Sequence, residues 1–371
     1  MNHFYRVVLF CIFLMPVMAF SQITVTIFED LNGNGIRDGG EVGLGGFNPQ
    51  LYFDQDMDGT TAEFNTGIVP TQPIVGTYVF TVPSNGIYQV VFQSPVGTYL
   101  ILNPVSGTSP LLNYPADNTA LAGYYVPGSV NGEVFHDVNG NGQDDDAGGL
   151  PTGIDVLLTN ATDFTTYGPV NTTGTYSFTD LPPGNYYVTF ESGTAAPFVL
   201  TFQNIGSDLN DSDPDRITGE TASFMVMSGQ DVLNVDAGYY EPVTIGDFVW
   251  EDMNGNSVQD GEPPYPGLTV TLTGTTGAGT AFGPVNVFTN GAGLYQFTNV
   301  PPGSYTVTFG ALPANFYYTM ANMTSDDLDS DPNLMGVTPA VIVVSGAVVD
   351  NIDAGVFEAV EISKFVAEDL K

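Results

Sequence analysis

The sequence predicts an all-β protein made of tandem antiparallel β-sandwiches with an immunoglobulin-like or transthyretin-like topology. The first observation is composition, because 44 Gly and 26 Pro among 371 residues favour short strands joined by many turns. The second is period-two alternation, as in Tyr186, Val188 and Phe190, which are separated by single residues and are predicted to face a core. The third is an internal repeat of roughly 110 residues, about the size of one sandwich.

The charge balance limits the classes of partner. The chain has 41 acidic and 5 basic residues, for a formal net charge of -36. Such a balance repels nucleic-acid phosphates and anionic membranes and attracts cations. Charged residues make up only 12% of the chain and hydrophobic residues 43%. We therefore expect a chain that buries a core and not a disordered acidic tail.

Residues 1–21 are predicted to be a cleaved signal peptide. An apolar stretch over 7–18 follows a basic residue and precedes small side chains, so Gln22 is the expected mature start. The stretch is shorter than the roughly 20 residues of a spanning helix, and no later segment qualifies. Cys11, the only cysteine, leaves with this peptide. We expect a secreted, cell-surface protein without disulfides or a transmembrane segment.

Three copies of one unit follow the signal peptide, and a fourth begins. Each copy opens on a strand with an acidic loop, continues with a Gly-x-Tyr-x-Phe strand and a Pro/Gly turn, and closes on Ala-Gly. The predicted repeats are 22–127, 128–241 and 242–358, and 359–371 aligns with the start of the third. We expect a piece of a longer protein, the alternative being a tail that resembles a strand by chance. The short linkers predict a rod-like stalk.

The loop after the first strand carries a calcium-binding pattern. Ca²⁺ prefers about six to eight hard oxygen ligands, which an acidic loop with a glycine at its sixth position supplies from alternate residues. An Asn/Asp/Gly-rich turn without metal is the alternative. The predicted ligands are Asp30, Asn32, Asn34, Ile36 through its carbonyl, Asp38 and Glu41.

The second and third repeats carry altered copies of this loop. In the second, Gly148 stands at the twelfth position, so Asp144 and Asp146 are expected to compensate and the affinity to be lower. In the third, Ser257 replaces the glycine and the closing glutamate falls one residue early. The predicted ligands are Asp137, Asn139, Asn141, Gln143 and Asp145 in the second loop, and Asp252, Asn254, Asn256, Val258, Asp260 and Glu262 in the third.

Three further acidic clusters are candidate calcium sites. Carboxylates this close repel one another unless a cation lies among them, and solvated acidic loops are the alternative. Asp236 and Asp353, beside the closing Ala-Gly, either add a ligand or end a strand. The clusters are Asp54, Asp56 and Asp58, closed by Glu63 or Asn65; Asp208, Asp211 and Asp213; and Asp326, Asp329 and Asp331.

These motifs together resemble the B domains of serine-aspartate repeat surface proteins, over residues 23–358. The resemblance implies calcium-binding β-sandwich modules that act as rigid spacers on bacterial surface proteins. It carries calcium roles most directly onto the first loop. The first repeat departs from the pattern because it lacks a Ser-Asp-x-x-Asp-Ser-Asp stretch and has Leu121 where the others have Asp236 and Asp353.

Covalent staples are excluded within the three repeats. Many domains of the related collagen-adhesin B type are stapled by a Lys–Asn isopeptide bond, but the only lysines here are Lys364 and Lys371, beyond the third repeat. Metal is then the remaining staple, since an ion that binds only the folded state stabilises it.

The predicted function is a calcium-stabilised spacer that supports adhesion. An enzyme is not expected, because His136 is the only histidine of the mature chain and no nucleophile or phosphate-loop motif occurs. A paired-carboxylate glycosidase is not excluded by counting alone. The alternative is a module that binds an extracellular protein or glycan through exposed aromatics such as Tyr187, Tyr317 and Tyr318.

Overall fold

The structure is a computed structural model that describes residues 21–56, 58–93, 99–147, 149–150, 152–191 and 197–359. Residues 1–20 of the predicted signal peptide and 360–371 of the predicted fourth repeat lie outside the described residues. Every regular element of the described part is a β-strand, which confirms the all-β class. The chain divides into two compact units. Unit 1 comprises Met1–Gly128, Leu181–Gly184 and Met227–Gln230, and unit 2 comprises Ser129–Asp180, Asn185–Val226 and Asp231–Lys371.

The first repeat forms two facing sheets. One has the order β4-β5-β1-β9-β7 and the other β3-β2-β6-β8. The strands are β1 (Ser21–Glu29), β2 (Gln50–Phe53), β3 (Phe64–Asn65), β4 (Thr71–Ile74), β5 (Thr77–Val82), β6 (Gly86–Val91), β7 (Leu100–Asn103), β8 (Leu112–Tyr114) and β9 (Thr119–Tyr125).

The second repeat has the same two-sheet plan. Its sheets have the orders β13-β10-β18-β15, with β17 also against β10, and β12-β11-β14-β16. The strands are β10 (Gly128–His136), β11 (Ile154–Asn160), β12 (Thr166–Thr172), β13 (Thr175–Leu181), β14 (Gly184–Glu191), β15 (Val199–Leu200), β16 (Phe224–Val226), β17 (Asp231–Val232) and β18 (Ala237–Tyr240).

The third repeat matches the second strand for strand. Its sheets have the orders β22-β19-β27-β24, with β26 also against β19, and β21-β20-β23-β25. The strands are β19 (Val243–Glu251), β20 (Thr269–Thr276), β21 (Ala281–Phe288), β22 (Leu294–Val300), β23 (Gly303–Phe309), β24 (Phe316–Tyr318), β25 (Val341–Val343), β26 (Val348–Val349) and β27 (Ala354–Glu358).

The core of each repeat lies between its two sheets. On β14, Tyr186, Val188 and Phe190 are buried and the residues between them are half-buried, as the period-two pattern predicts. The tyrosine of each Gly-x-Tyr-x-Phe strand is also buried and hydrogen-bonds to a backbone carbonyl. Tyr295 donates to Ile352 O at 2.6 Å, which links β22 to the segment before the last strand.

Parallel pairing in each repeat involves its first strand, which in the second and third repeats also pairs in parallel with β17 and β26. The first and last strands run parallel, with β1 against β9, β10 against β18 and β19 against β27. Parallel neighbours need a long connection between them, and here nearly the whole repeat separates the two strands. The closing Ala-Gly of each repeat is thereby placed directly beside the strand that leads into the acidic loop.

Candidate metal centres

The first aspartate of each loop is buried and organises the backbone around it. Asp30 accepts hydrogen bonds from Gly33 N and Gly35 N, both at 2.7 Å. Asp137 and Asp252 bind the corresponding amides of their own loops at 2.7–3.1 Å. The backbone amides of each loop surround this one carboxylate. The other side chains of the loop then lie outside the turn, where they can converge. The three loops are therefore built alike from their first residue.

The sixth position needs a left-handed backbone in every copy. Gly35 and Gly142 have φ values of 74° and 84°, and Ser257 adopts φ 62° in the third loop. A non-glycine residue there costs about 1 kcal/mol or more. The Ser257 hydroxyl lies 2.5 Å from Thr319 Oγ1 and accepts from Met320 N at 3.2 Å, which offsets part of that cost.

The third, fifth and ninth positions bring their side-chain tips together. Asn32 and Asn34 donate from Nδ2 to Asp38 Oδ2 at 2.9 and 2.6 Å. These amides lower the pKa of Asp38 below its ordinary value. Rotation of each amide about its last bond would turn its oxygen towards the same point. The second and third loops repeat the contacts, through Asn139 and Asn141 to Asp145 and through Asn254 and Asn256 to Asp260.

A different carboxylate closes each loop. Glu41 accepts from Leu31 N at 3.0 Å and from Asp38 N at 2.8 Å. Asp146 takes this place in the second loop by accepting from Val138 N at 2.7 Å. Glu262 accepts from Asn254 N at 3.2 Å in the third loop. Its Oε2 is buried without a hydrogen-bond partner.

The additional loop of the first repeat gathers four carboxylates. Asp54, Asp56, Asp58 and Glu63 each offer an oxygen, and these oxygens all lie within 4.8 Å of one another. Asp54 is buried and accepts from the Gly59 amide at 3.0 Å. Of the two predicted closing residues the structure brings in Glu63, since Asn65 instead donates to Gln50 Oε1 at 3.2 Å.

The Ser-Asp clusters of the second and third repeats converge in the same way. Their three carboxylates lie within 4.8 Å of one another in each repeat. Asp211 and Asp329 are the buried members, with 6% and 1% of their surface exposed. One oxygen of each, Oδ1, has no hydrogen-bond partner. The clusters are Asp208, Asp211 and Asp213, and Asp326, Asp329 and Asp331.

The aspartates beside the closing Ala-Gly belong to the same acidic centres. Asp353 Oδ1 accepts from Phe248 N at 3.1 Å, and Asp331 Oδ2 accepts from Asp353 N at 2.6 Å. Burial raises the pKa of Asp353 to about 8, and the charges of Asp247 and Asp331 add to the shift. Burial likewise raises the pKa of Asp236 to about 7 in the second repeat. These residues face acidic neighbours and do not merely end a strand.

Each Ser-Asp cluster lies next to the acidic loop of its own repeat. Val258, at the seventh position of the third loop, forms a β-bridge with Asp329, and Gln143 forms the same bridge with Asp211. Gln259 N also donates to Leu328 O at 2.7 Å. The loop and the cluster thus form one continuous acidic region in each of these repeats.

Sequence reasoning missed Asp247 as a member of this region. It precedes Phe248 on β19, and burial followed by the charge of Asp350 raises its pKa. An acidic residue inside the strand, two positions from both Ile245 and Val249, was the available signal. Its partner Asp353 is reached only through the parallel pairing of β19 and β27, which local spacing does not reveal.

The donor set fits a hard divalent cation. Every side chain of these centres offers carboxylate or amide oxygens, the ligands that Ca²⁺ and Mg²⁺ prefer over softer donors. Buried carboxylate oxygens without partners are costly unless a cation or a proton neutralises them. Asp211 Oδ1, Asp329 Oδ1 and Asp353 Oδ2 are three such atoms. Loops with several flexible oxygen ligands suit the larger Ca²⁺ better than Mg²⁺.

The predicted aromatic platform is only partly present. Tyr318 is buried with 5% exposure, so its prediction as an exposed residue is wrong. It follows Tyr317 on β24, and adjacent strand residues face opposite sides. Tyr317 is 54% exposed and lies 5.9 Å from the Phe357 ring, while Tyr187 is half-buried.

The fold and the acidic loops define a protein of repeated β-sandwich modules, each with oxygen-rich loops at one end of its central strand. The sequence profile of the SdrD B-like domain matches residues 21–110, 128–239 and 243–356. The chain belongs to the SdrD B-like domain family.

Two curated relatives show how much of a longer protein this chain resembles. Serine-aspartate repeat-containing protein D of Staphylococcus aureus strain Newman is 32% identical over 333 residues, or 85% of this chain and 24% of that protein. Serine-aspartate repeat-containing protein F of Staphylococcus epidermidis is 32% identical over 338 residues, or 84% of this chain and 18% of that protein. The chain therefore spans about a quarter or less of these relatives.

Solved structures resemble the chain only loosely. The Bacillus anthracis TIE protein aligns with 90% of this chain and 50% of its own at a TM-score of 0.28 and 13% identity. Similarity at this level supports no conclusion about function. Within the described residues there is no helix long and apolar enough to cross a membrane.

Proposed function

We propose that the three repeats form a calcium-stabilised structural spacer of a secreted, surface-attached protein that takes part in adhesion. Membership of the SdrD B-like family supports the spacer role. The pattern of residues 1–21 supports export from the cell. The calcium dependence rests on the acidic centres of this chain.

The observation that carries the calcium proposal is the set of buried carboxylate oxygens without partners. Asp329 is 1% exposed, and its Oδ1 atom has no hydrogen bond although Oδ2 accepts from Thr324 N at 2.8 Å. Asp326 and Asp331 bring two more carboxylates within 4.8 Å. A divalent cation at their common centre would neutralise the repulsion and supply the missing partner.

Calcium titration calorimetry of the chain from Gln22 to Lys371 tests this proposal. We expect more than one Ca²⁺ per chain, with little heat from Mg²⁺ at the same concentration. Asp329→Asn keeps the size of the side chain and is expected to remove at least one bound ion. The matched control Asp117→Asn changes an exposed aspartate outside the centres and should leave the number of ions unchanged. The absence of binding heat, or the loss of the same number of bound ions in both variants, would contradict calcium binding at this cluster.

A further inference from the structure

Unit 2 shows what the acidic loop of the second repeat contacts besides its own side chains. Val138 O, at the second loop position, accepts from Ser345 N at 2.8 Å. The Ser345 hydroxyl accepts from Glu241 N at 2.8 Å and lies 2.8 Å from His136 Nε2. Ser345 belongs to a Val-Ser-Gly turn of the third repeat, so one turn binds both the end of β10 and Glu241, the residue that follows β18.

A second turn of the third repeat reaches the same loop. A Cβ atom on Gly140 would lie 2.8 Å from Pro302 Cβ and 3.0 Å from Pro302 O. A Cβ atom on Gly277 would lie 2.0 Å from Asn139 O. Only glycine fits at these two positions, because the Pro-Pro-Gly turn and the turn that contains Gly277 both lie directly against the loop backbone. The loop is therefore a docking platform as well as a candidate metal site.

The same contacts recur within unit 1. Ser228 N donates to Leu31 O at 3.1 Å, and its hydroxyl donates to Glu29 Oε1 at 2.7 Å and accepts from Val126 N at 2.9 Å. A Cβ atom on Gly33 would lie 2.2 Å from Pro183 O. Each partner corresponds in the repeat alignment to one of the contacts in unit 2.

The third loop has the same backbone but exposes this platform. Met253 corresponds to Leu31 and Val138, and it is 71% exposed, whereas both counterparts are half-buried. A Cβ atom on Gly255 would meet nothing within 4 Å. Glu251 aligns with Glu29, whose carboxylate accepts from the Ser228 hydroxyl in unit 1. These three residues form a surface that we name the third platform.

We propose that the third platform is the docking site for a further repeat of the same kind, one that carries both a Pro-Pro-Gly turn and a Ser-Gly turn. This inference rests on the proposed spacer function and specifies how that spacer is extended. The incoming serine would donate its N–H to Met253 O and its hydroxyl to the Glu251 carboxylate, as Ser228 does to Leu31 and Glu29. The proline turn would pack on Gly255.

The first repeat of a second chain is a poor occupant of this platform. At the position of the proline turn it has Pro83-Ser84-Asn85-Gly86, and before its last strand it has Pro115-Ala116-Asp117 in place of a Ser-Gly turn. Head-to-tail polymers of separate chains are therefore not expected. A repeat of the second or third type, linked in the same chain, supplies both turns.

The test extends the full chain from Gln22 by a second copy of residues 242–358 placed after Glu358. The mature chain lacks cysteine, so spin labels can be placed at Thr298→Cys and at the same position in the added copy. Pulsed electron paramagnetic resonance then measures the distance distribution between them. The label pair Thr179→Cys and Thr298→Cys, exposed on equivalent strands, gives the reference for a docked junction in the same protein.

We expect the distance distribution between the labels at the added junction to be as narrow as that of the reference pair. Ser345→Ala in the added copy should broaden it, while Gln296→Ala there, an exposed strand residue, should not. A broad distribution at the added junction with a narrow reference would overturn the docking inference alone. Broad distributions for both pairs would overturn the proposed spacer function and this inference with it.

Discussion

Asp353 is fully buried and faces Asp247 and Asp331, so its ionisation is costly in the absence of a cation. Asp331 shows the same effect, because burial and the charges of Asp326 and Asp329 raise its pKa to about 7. In the second repeat, burial raises the pKa of Asp213 to about 6. A cation bound among these groups would favour their charged forms and reverse the shifts.

Replacement of Asp353 by asparagine is expected to have opposite effects on stability without and with calcium. In EDTA at pH 9, Asp353→Asn is expected to raise the free energy of unfolding by about 1–2 kcal/mol, because it removes a buried charge and keeps an oxygen for Phe248 N. In millimolar calcium it should lower stability relative to the parent chain. Urea unfolding in both buffers measures this difference. A variant that is also less stable than the parent chain in EDTA would contradict the conclusion that the buried charge of Asp353 destabilises the folded state.

The pH dependence follows from the direction of the same shifts. An aspartate with a folded pKa near 7 or 8 stabilises the folded state while it is protonated, fully so below its unfolded pKa of about 4. That stability is lost as the pH rises through 7 to 8. In EDTA we therefore expect stability to fall between pH 5 and pH 8.5, and in calcium the fall should be much smaller. Urea midpoints at four pH values test this, and equal slopes in both buffers would count against it.

At the scale of the element, each acidic loop is a strand end followed by a turn wrapped around one aspartate. The spacing of its candidate ligands is local, so the sequence alone indicates the first, third, fifth and ninth positions. The closing carboxylate is less regular, and Glu41, Asp146 and Glu262 fill it from different positions. We expect the third loop to respond to calcium independently of the first.

The single tryptophan offers a specific reporter for the third loop. Trp250 is buried two residues before Asp252 and is the only tryptophan of the chain. Glu262→Gln is expected to move the midpoint of the calcium-dependent Trp250 fluorescence change at least tenfold higher in calcium. The matched variant Glu41→Gln alters the closing residue of the first loop and should leave that midpoint in place. The same shift in both variants would mean that the fluorescence does not report the third loop.

The positions of the strands were easier to predict from the sequence than the pairing between strands. Period-two alternation is a local signal, and it places Tyr186, Val188 and Phe190 in the core as the structure does. The same rule could have placed Tyr318 inside, since its neighbour Tyr317 faces solvent. The parallel contact of β19 with β27 joins residues about a hundred positions apart. It depends on the packing of the whole repeat, so the pairing of Asp247 with Asp353 could not be read from spacing.

At the scale of the whole molecule, the question is what holds domains of this size together. The chain from Gln22 onwards contains no cysteine, and its lysines lie beyond the third repeat, so neither disulfides nor lysine isopeptide bonds can staple the repeats. Small domains with limited cores commonly rely on such staples or on bound metal. The acidic centres put many like charges into each folded repeat, which destabilises it unless cations bind.

Thermal unfolding of the chain from Gln22 to Lys371 in EDTA, in millimolar calcium and in millimolar magnesium tests this account most directly. Ligand present at about a hundred times its Kd adds roughly 2.7 kcal/mol for each site, so several sites should raise the melting temperature by about 10 °C or more. We predict that rise with calcium and only a small one with magnesium. Coincident melting curves in the three buffers would contradict the account and leave the acidic loops as solvated turns.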